Sequence, residues 1–222
     1  MAKDAGLWTL LRRFESGRDY NSGVFVIKLI IFDLGGVLVL YDDKDYYSYL
    51  SKRYAIPEKK ISNVASKYNA ALYKGKIKNN KFLKSMSKEL GIQRSKLNPE
   101  KYFLKKARLN KELLKFAERL RTNYKVVILT NIYFSRYNSA MKILKKESFD
   151  GIIASCFIGM MKPNKNIYRY VLKKYKVEPK EAIFVDNLSG NVSGARSLGI
   201  NGILFSGNDL LFKKFSNFKI KA

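Results

Sequence analysis

Five short apolar runs, at residues 25–32, 125–129, 151–154, 182–185 and 202–205, alternate with segments of helical periodicity in the second half of the chain. No other feature restricts the fold as much. Runs this apolar must be covered on both faces, and strands separated by helix-length crossovers pair in parallel. The expected fold class is α/β: a Rossmann-like parallel sheet with helices on both faces. Helices are expected at 111–122, 133–146, 165–175 and 190–198, where apolar positions recur at helical spacing. Between 42 and 108 the chain is rich in Lys, Tyr and Ser, with apolar positions such as Tyr47, Leu50, Tyr54, Phe82, Leu83, Met86 and Leu90 at helical spacing. Short helices are expected there, broken near Pro57, Lys74 to Lys76 and Gly91. The organisation is thus an N-terminal extension (1–26), an α/β core (27–41 and 109–222) and a helical insert (42–108) after the first strand. In the extension, Leu7, Leu10, Leu11 and Phe14 suggest a short amphipathic helix, too short and interrupted for a secretion signal.

Composition removes whole classes of chemistry. The chain has no histidine, which excludes Ser-His-Asp and Cys-His catalysis and histidine-ligated metals. One cysteine, Cys156, rules out an intrachain disulfide and fits a reducing, cytoplasmic setting; its expected role is structural. No apolar run reaches the roughly 18–20 residues of a membrane span. The net charge of +26 attracts phosphorylated metabolites and polyanions. Lysine greatly outnumbers arginine and is spread along the chain, which favours a solvated basic surface over a nucleic-acid reader.

Parallel sheets carry their ligands at the carboxyl ends of the strands. The first run ends on Asp33-Leu34-Gly35-Gly36 and the second on Thr130-Asn131. Lys162-Pro163 precedes a helix, and the 182–185 run ends on Asp186-Asn187 before Gly190-Asn191 opens another. Such an edge gathers two carboxylates, a hydroxyl and an ammonium. A strand-end aspartate can attack phosphorus to form an aspartyl-phosphate. Two carboxylates side by side call for a divalent cation, and oxygen-only ligands select Mg²⁺. Thr130 can donate to a phosphoryl oxygen and Lys162 can pair with its charge.

The runs IIFDLGGVL, VVILTN, MKPNKNIY and AIFVDNLSGNVSGARSLGI resemble, in order, the four motifs of the haloacid dehalogenase superfamily, over about residues 28–206. The DLGGV form resembles its capped, small-metabolite phosphatases. The resemblance implies that Asp33 is the nucleophile and that Thr130, Asn131 and Lys162 bind the substrate phosphate, Lys162 also securing the nucleophile. It implies that Asp33, the Gly35 backbone carbonyl, Asp186 and Asn187 hold Mg²⁺, and that 42–108 is a cap closing over a small phosphorylated metabolite. Two departures stand out. Gly35 occupies the place of a second aspartate that serves as general acid and base, and Asn187 stands where a second acid is common. The expected activity is Mg²⁺-dependent hydrolysis of a phosphate monoester. The alternatives are a weakened domain that binds phosphate or nucleic acid without efficient turnover and, less favoured, a haloacid dehalogenase.

Overall fold

The computed structural model describes residues 26–221. Its core is a five-stranded sheet of β1 (Leu29–Phe32), β4 (Lys125–Thr130), β5 (Gly151–Ala154), β6 (Ala182–Asp186) and β7 (Asn201–Leu204), in the order β5-β4-β1-β6-β7. Every pairing is parallel, with Leu29 opposite both Lys125 and Ala182. Successive side chains of a strand point to opposite faces, and both faces are apolar. Ile30, Phe32, Val126, Ile128, Ile183 and Val185 fill one layer, together with Leu113, Ala117 and Leu120 of α5 (Lys111–Leu120) and Leu211 and Phe215 of α10 (Asn208–Asn217). Leu29, Ile31, Val127, Leu129 and Phe184 fill the other, against α8 (Lys165–Tyr175) and α9 (Ser189–Arg196). Each such Leu or Ile stabilises the fold by roughly 1.5–3 kcal/mol through burial.

The first strand starts later than its apolar run implies. Its neighbours begin at Lys125 and Ala182, so residues before Lys28 have no ladder to join, and Val26 is exposed. The helix expected over 133–146 is α6 (Phe134–Ala140); beyond it the chain tightens into i→i+3 bonds (Lys142 N to Ser139 O, Ile143 N to Ala140 O) that carry Leu144 into the core. The short helix α7 (Ser155–Ile158) and helix α10 have no counterpart in the sequence reading. The amphipathic helix expected in the N-terminal extension falls on residues 1–25, outside the described residues.

Residues 43–106 form a helical insert: α1 (Asp43–Tyr54), α2 (Glu58–Tyr73), α3 (Asn79–Leu90) and α4 (Pro99–Lys106). Breaks fall where expected, at Pro57, at Lys74 to Lys76 and at Gly91, whose φ of +68° ends α3. Asp42 caps α1 by accepting from Lys44 N, and Asn98 caps α4 by accepting from Lys101 N. The insert has its own core, which includes Tyr46, Leu50, Ile61, Leu72, Phe82, Leu83 and Met86. Its stem is a two-residue antiparallel pair, β2 (Val39–Leu40) with β3 (Arg108–Leu109). Asn110 locks the stem to the core by donating to Val37 O and exchanging amide bonds with Asn208.

Candidate active site

β1 and β6 are adjacent strands, so Asp33, which follows β1, and Asp186, which ends β6, are delivered to one edge of the sheet. Both are buried, and between them lies Lys162, whose side chain is only 1% exposed. Its ammonium is 2.8 Å from Asp33 Oδ1 and 2.7 Å from Asp186 Oδ2, and it donates its third bond to Leu129 O at 2.8 Å. The apolar methylenes of Lys162 reach through the sheet edge while its charge is fully paired. Asp33 Oδ1 also accepts from Leu34 N at 2.7 Å. Asp186 accepts from Leu188 N through Oδ1 and from the Asn191 amide through Oδ2. Burial pushes the Asp33 carboxyl up to about 6, against the lowering influence of Lys162 and with a further rise from Asp186. A buried acid raised in this way is a signature of functional sites.

Thr130, the last residue of β4, is 3% exposed and faces the same cavity as Asp33 and Lys162. Asn131 lies there too, but its side chain clamps Lys162: its amide donates to Lys162 O and its carbonyl accepts from Lys162 N, both at 2.8 Å. Whatever it does for a ligand, it positions the ammonium. Gly35 and Asn187 line the cavity, and Asn187 sits so close to Gly36 that a Cβ there would lie 2.3 Å from its amide nitrogen. Gly36 has a φ of +76°, so a side chain is excluded on both counts. Of the sequence-derived site residues, Asp33, Gly35, Thr130, Asn131, Lys162 and Asn187 line one cavity of about 560 Å³; Asp186 does not line it, and sits fully buried behind Lys162.

These donors suit a hard cation. The groups that would hold it are all oxygens, two of them from carboxylates, and the raised pKa of Asp33 marks a buried charge that a cation would relieve. Among the described residues no three His, Cys, Asp or Glu side chains cluster as metal ligands, so the remaining donors would be neutral oxygens such as those of Gly35 and Asn187. The cavity wall opposite the sheet was not legible in the sequence. It is built by Tyr41, Asp42, Asp43, Asp45, Tyr73, Phe103, Tyr133 and Arg136. Arg136, on α6 of the core, pairs with Asp43 of α1 at 2.9 Å and with Glu100 of α4 at 3.0 Å. It thereby touches the first and last helices of the insert. No helix among the described residues is long and apolar enough to cross a membrane.

Residues 27–199 match the haloacid dehalogenase-like hydrolase family. The chain is 25% identical over 210 residues to bifunctional epoxide hydrolase 2 of Sus scrofa, covering 85% of this chain and 38% of that protein. It is 33% identical over 88 residues to a glyceraldehyde 3-phosphate phosphatase of Pyrococcus furiosus, covering 36% and 37% of the two chains. The chain spans about two fifths or less of the curated relatives it matches. In three dimensions it resembles a HAD family enzyme of Bacteroides thetaiotaomicron solved with magnesium and inorganic phosphate. The TM-score is 0.68 at 22% identity, covering 84% of this chain and 99% of the other.

Proposed function

The chain belongs to the haloacid dehalogenase-like hydrolases, and we propose that it is a magnesium-dependent phosphatase acting on a small phosphate monoester. One observation carries the reading: Asp33, Thr130 and Lys162, far apart in sequence, line one cavity at a buried sheet edge, with Asp186 held behind them by Lys162. A phosphatase among the relatives and a magnesium–phosphate complex among the neighbours support it. In the proposed reaction the Oδ2 oxygen of Asp33 attacks phosphorus, the bond to the leaving oxygen breaks, and the phosphoryl group passes to Asp33. Water then attacks that phosphorus, and the P–O bond to Asp33 breaks to release phosphate and regenerate the carboxylate. Lys162 keeps Asp33 aimed and offsets charge on the transferring group, and Thr130 donates to a phosphoryl oxygen. Mg²⁺ would be held by Asp33, the Gly35 carbonyl, Asp186 and Asn187, and when bound it neutralises phosphate charge and keeps Asp33 ionised. The insert 42–108 serves as the cap that shields this chemistry.

Gly35 offers no acid or base to the leaving group, a contribution typically worth about 10²–10⁴-fold. The cavity wall carries Asp42, Asp43 and Asp45. Asp43 is committed to Arg136 and Tyr73 and Asp42 to capping α1, which leaves Asp45 as the first carboxylate to test for that duty. The test of the whole reading is steady-state hydrolysis of a panel of phosphate esters with Mg²⁺, comparing wild type with Asp33→Asn. Turnover that vanishes in the variant supports it; equally negligible turnover in both removes it.

A second reading is binding without turnover. It is favoured by Gly35 and by a groove on the insert, where Lys52, Lys96, Lys101, Lys105 and Lys106 stand beside Tyr49 and Tyr102. Oligonucleotide binding that weakens steeply with salt, in a protein without turnover, would select it.

A further inference from the structure

Lysine is spread along the sequence, but the fold gathers part of it. Between α1 and α4 of the insert lies a groove lined by Lys52 of α1, Lys96 of the 3₁₀ turn Arg94–Lys96, and Lys101, Lys105 and Lys106 of α4. All five are exposed, and among the described residues none of them forms an ion pair. Elsewhere Lys28, Lys67 and Lys125 do find carboxylates. The groove offers a single one, Asp45. Lys101 and Lys105 stand four residues apart on one helix, where like charges repel. A concave surface lined by one sign of charge draws in ions of the other.

Three aromatic rings line the same groove. Tyr46 and Tyr49 are stacked, with centroids 6.2 Å apart and 24° between their planes. Tyr102 lies 5.0 Å from Tyr49 and 5.3 Å from Tyr46. Two of the rings are anchored: the Tyr46 hydroxyl accepts from Asn98 N at 3.0 Å, and the Tyr102 hydroxyl donates to Asp45 O at 3.1 Å. Tyr49 rests against both and is 38% exposed. An exposed ring braced by two anchored ones is a preformed stacking surface.

We propose that this groove binds single-stranded nucleic acid, the lysines tracking its phosphates and Tyr49 stacking on a base. This rests on the groove of the second reading above and goes beyond it. Strand binding needs no loss of turnover, because the groove and the reaction cavity share only Asp45 among their lining residues. The aromatic ring decides the partner. A duplex keeps its base faces inside the stack, and an acidic peptide brings negative charge without a succession of flat rings. Sequence-specific reading is not expected, because lysine is a point charge without the fork that arginine sets on base edges.

The test is fluorescence anisotropy of the full chain with a labelled oligothymidylate whose two ends are hydroxyls, so that the reaction cavity has no terminal phosphate to hold. Binding is expected to weaken with salt, with a slope of about −0.7 for each phosphate contact, so Lys101→Gln and Lys105→Gln should each flatten it by about 0.7. Tyr49→Ala should weaken binding by about five- to a hundredfold, and Tyr49→Phe should hold it within about threefold of wild type. A duplex of the same length and polyglutamate should each bind at least about tenfold more weakly than the single strand. An affinity that none of these variants moves places the strand elsewhere and overturns the proposal. So does a duplex or polyglutamate held as tightly as the single strand, which makes the groove a patch of charge alone. Absence of binding at about 50 mM salt overturns it as well. None of these outcomes touches the phosphatase reading, which Asp33→Asn decides by itself.

Discussion

Replacing Lys162 with methionine is the sharpest perturbation of the core chemistry. Methionine preserves much of the length and apolar stem but removes the ammonium that bridges Asp33 and Asp186 at 2.8 and 2.7 Å. Two carboxylates would then face each other in a buried site without a cation. Removing one partner of a buried ion pair costs about 3–5 kcal/mol. For a chain of 222 residues, at about 2–4 °C per kcal/mol, the metal-free variant should melt about 6–20 °C lower. The pH dependence has a definite sign. Without Lys162 the folded Asp33 carboxyl loses the partner that lowers it and is raised further above its unfolded value, starting from about 6. The native variant therefore binds more protons than its unfolded chain, and its stability falls as pH rises through that range. Calorimetric melting in chelator at pH 5 and pH 8 should show the larger deficit at pH 8. Adding Asp186→Asn to Lys162→Met should recover part of the loss, because it removes one of the stranded charges. A metal-free variant that melts within about 2 °C of wild type at both pH values would mean that the buried triad is worth no more than a surface pair, and would refute the reasoning.

Other outcomes follow from particular contacts. Gly36→Ala would place a methyl group 2.3 Å from Asn187 Nδ2 at a φ of +76°; it should cost about 1–2 kcal/mol in urea melts and weaken Mg²⁺ binding measured by titration calorimetry. Gly75→Ala would drive a methyl group to 2.3 Å from the Cys156 carbonyl oxygen, where the insert meets the core, and should raise the rate of proteolytic cleavage at the stem. Cys156 is buried and its thiol is pushed up by burial, so native protein should react with a disulfide reagent at pH 7 at least about tenfold more slowly than denatured protein. With Gly35 in place of an acid, aryl phosphates of low leaving-group pKa should turn over faster than alkyl phosphates of similar size, as read from a series of kcat/KM values.

The sheet and its chemical edge were legible in the sequence because both obey local rules. An apolar run ending on a polar residue says where a strand stops, and parallel topology says which ends coincide, so Asp33 and Asp186 could be assigned to one edge of the sheet, although only the strand order makes them neighbours. The far wall obeys no such rule. Arg136 reaches Glu100 and Asp43 across separations of 36 and 93 residues, and nothing in the run FSRYNSA distinguishes this arginine from a solvated one. The stem strands, two residues each, were too short to carry a pattern. Asn131 was legible as a site residue, but its clamp on the Lys162 backbone depends on two loops meeting, which spacing does not reveal.

The position of β1 has one more consequence. It is hydrogen-bonded along both sides, to β4 and to β6, so the amides of Leu29 to Phe32 belong to the last segment expected to exchange with deuterium. On the proposed function, the attacking carboxylate is thus anchored in the stiffest part of the molecule, whereas the helical insert that shares its cavity hangs from a two-residue stem. Under that proposal, substitutions in the insert would change the cavity wall without disturbing the strand that holds Asp33.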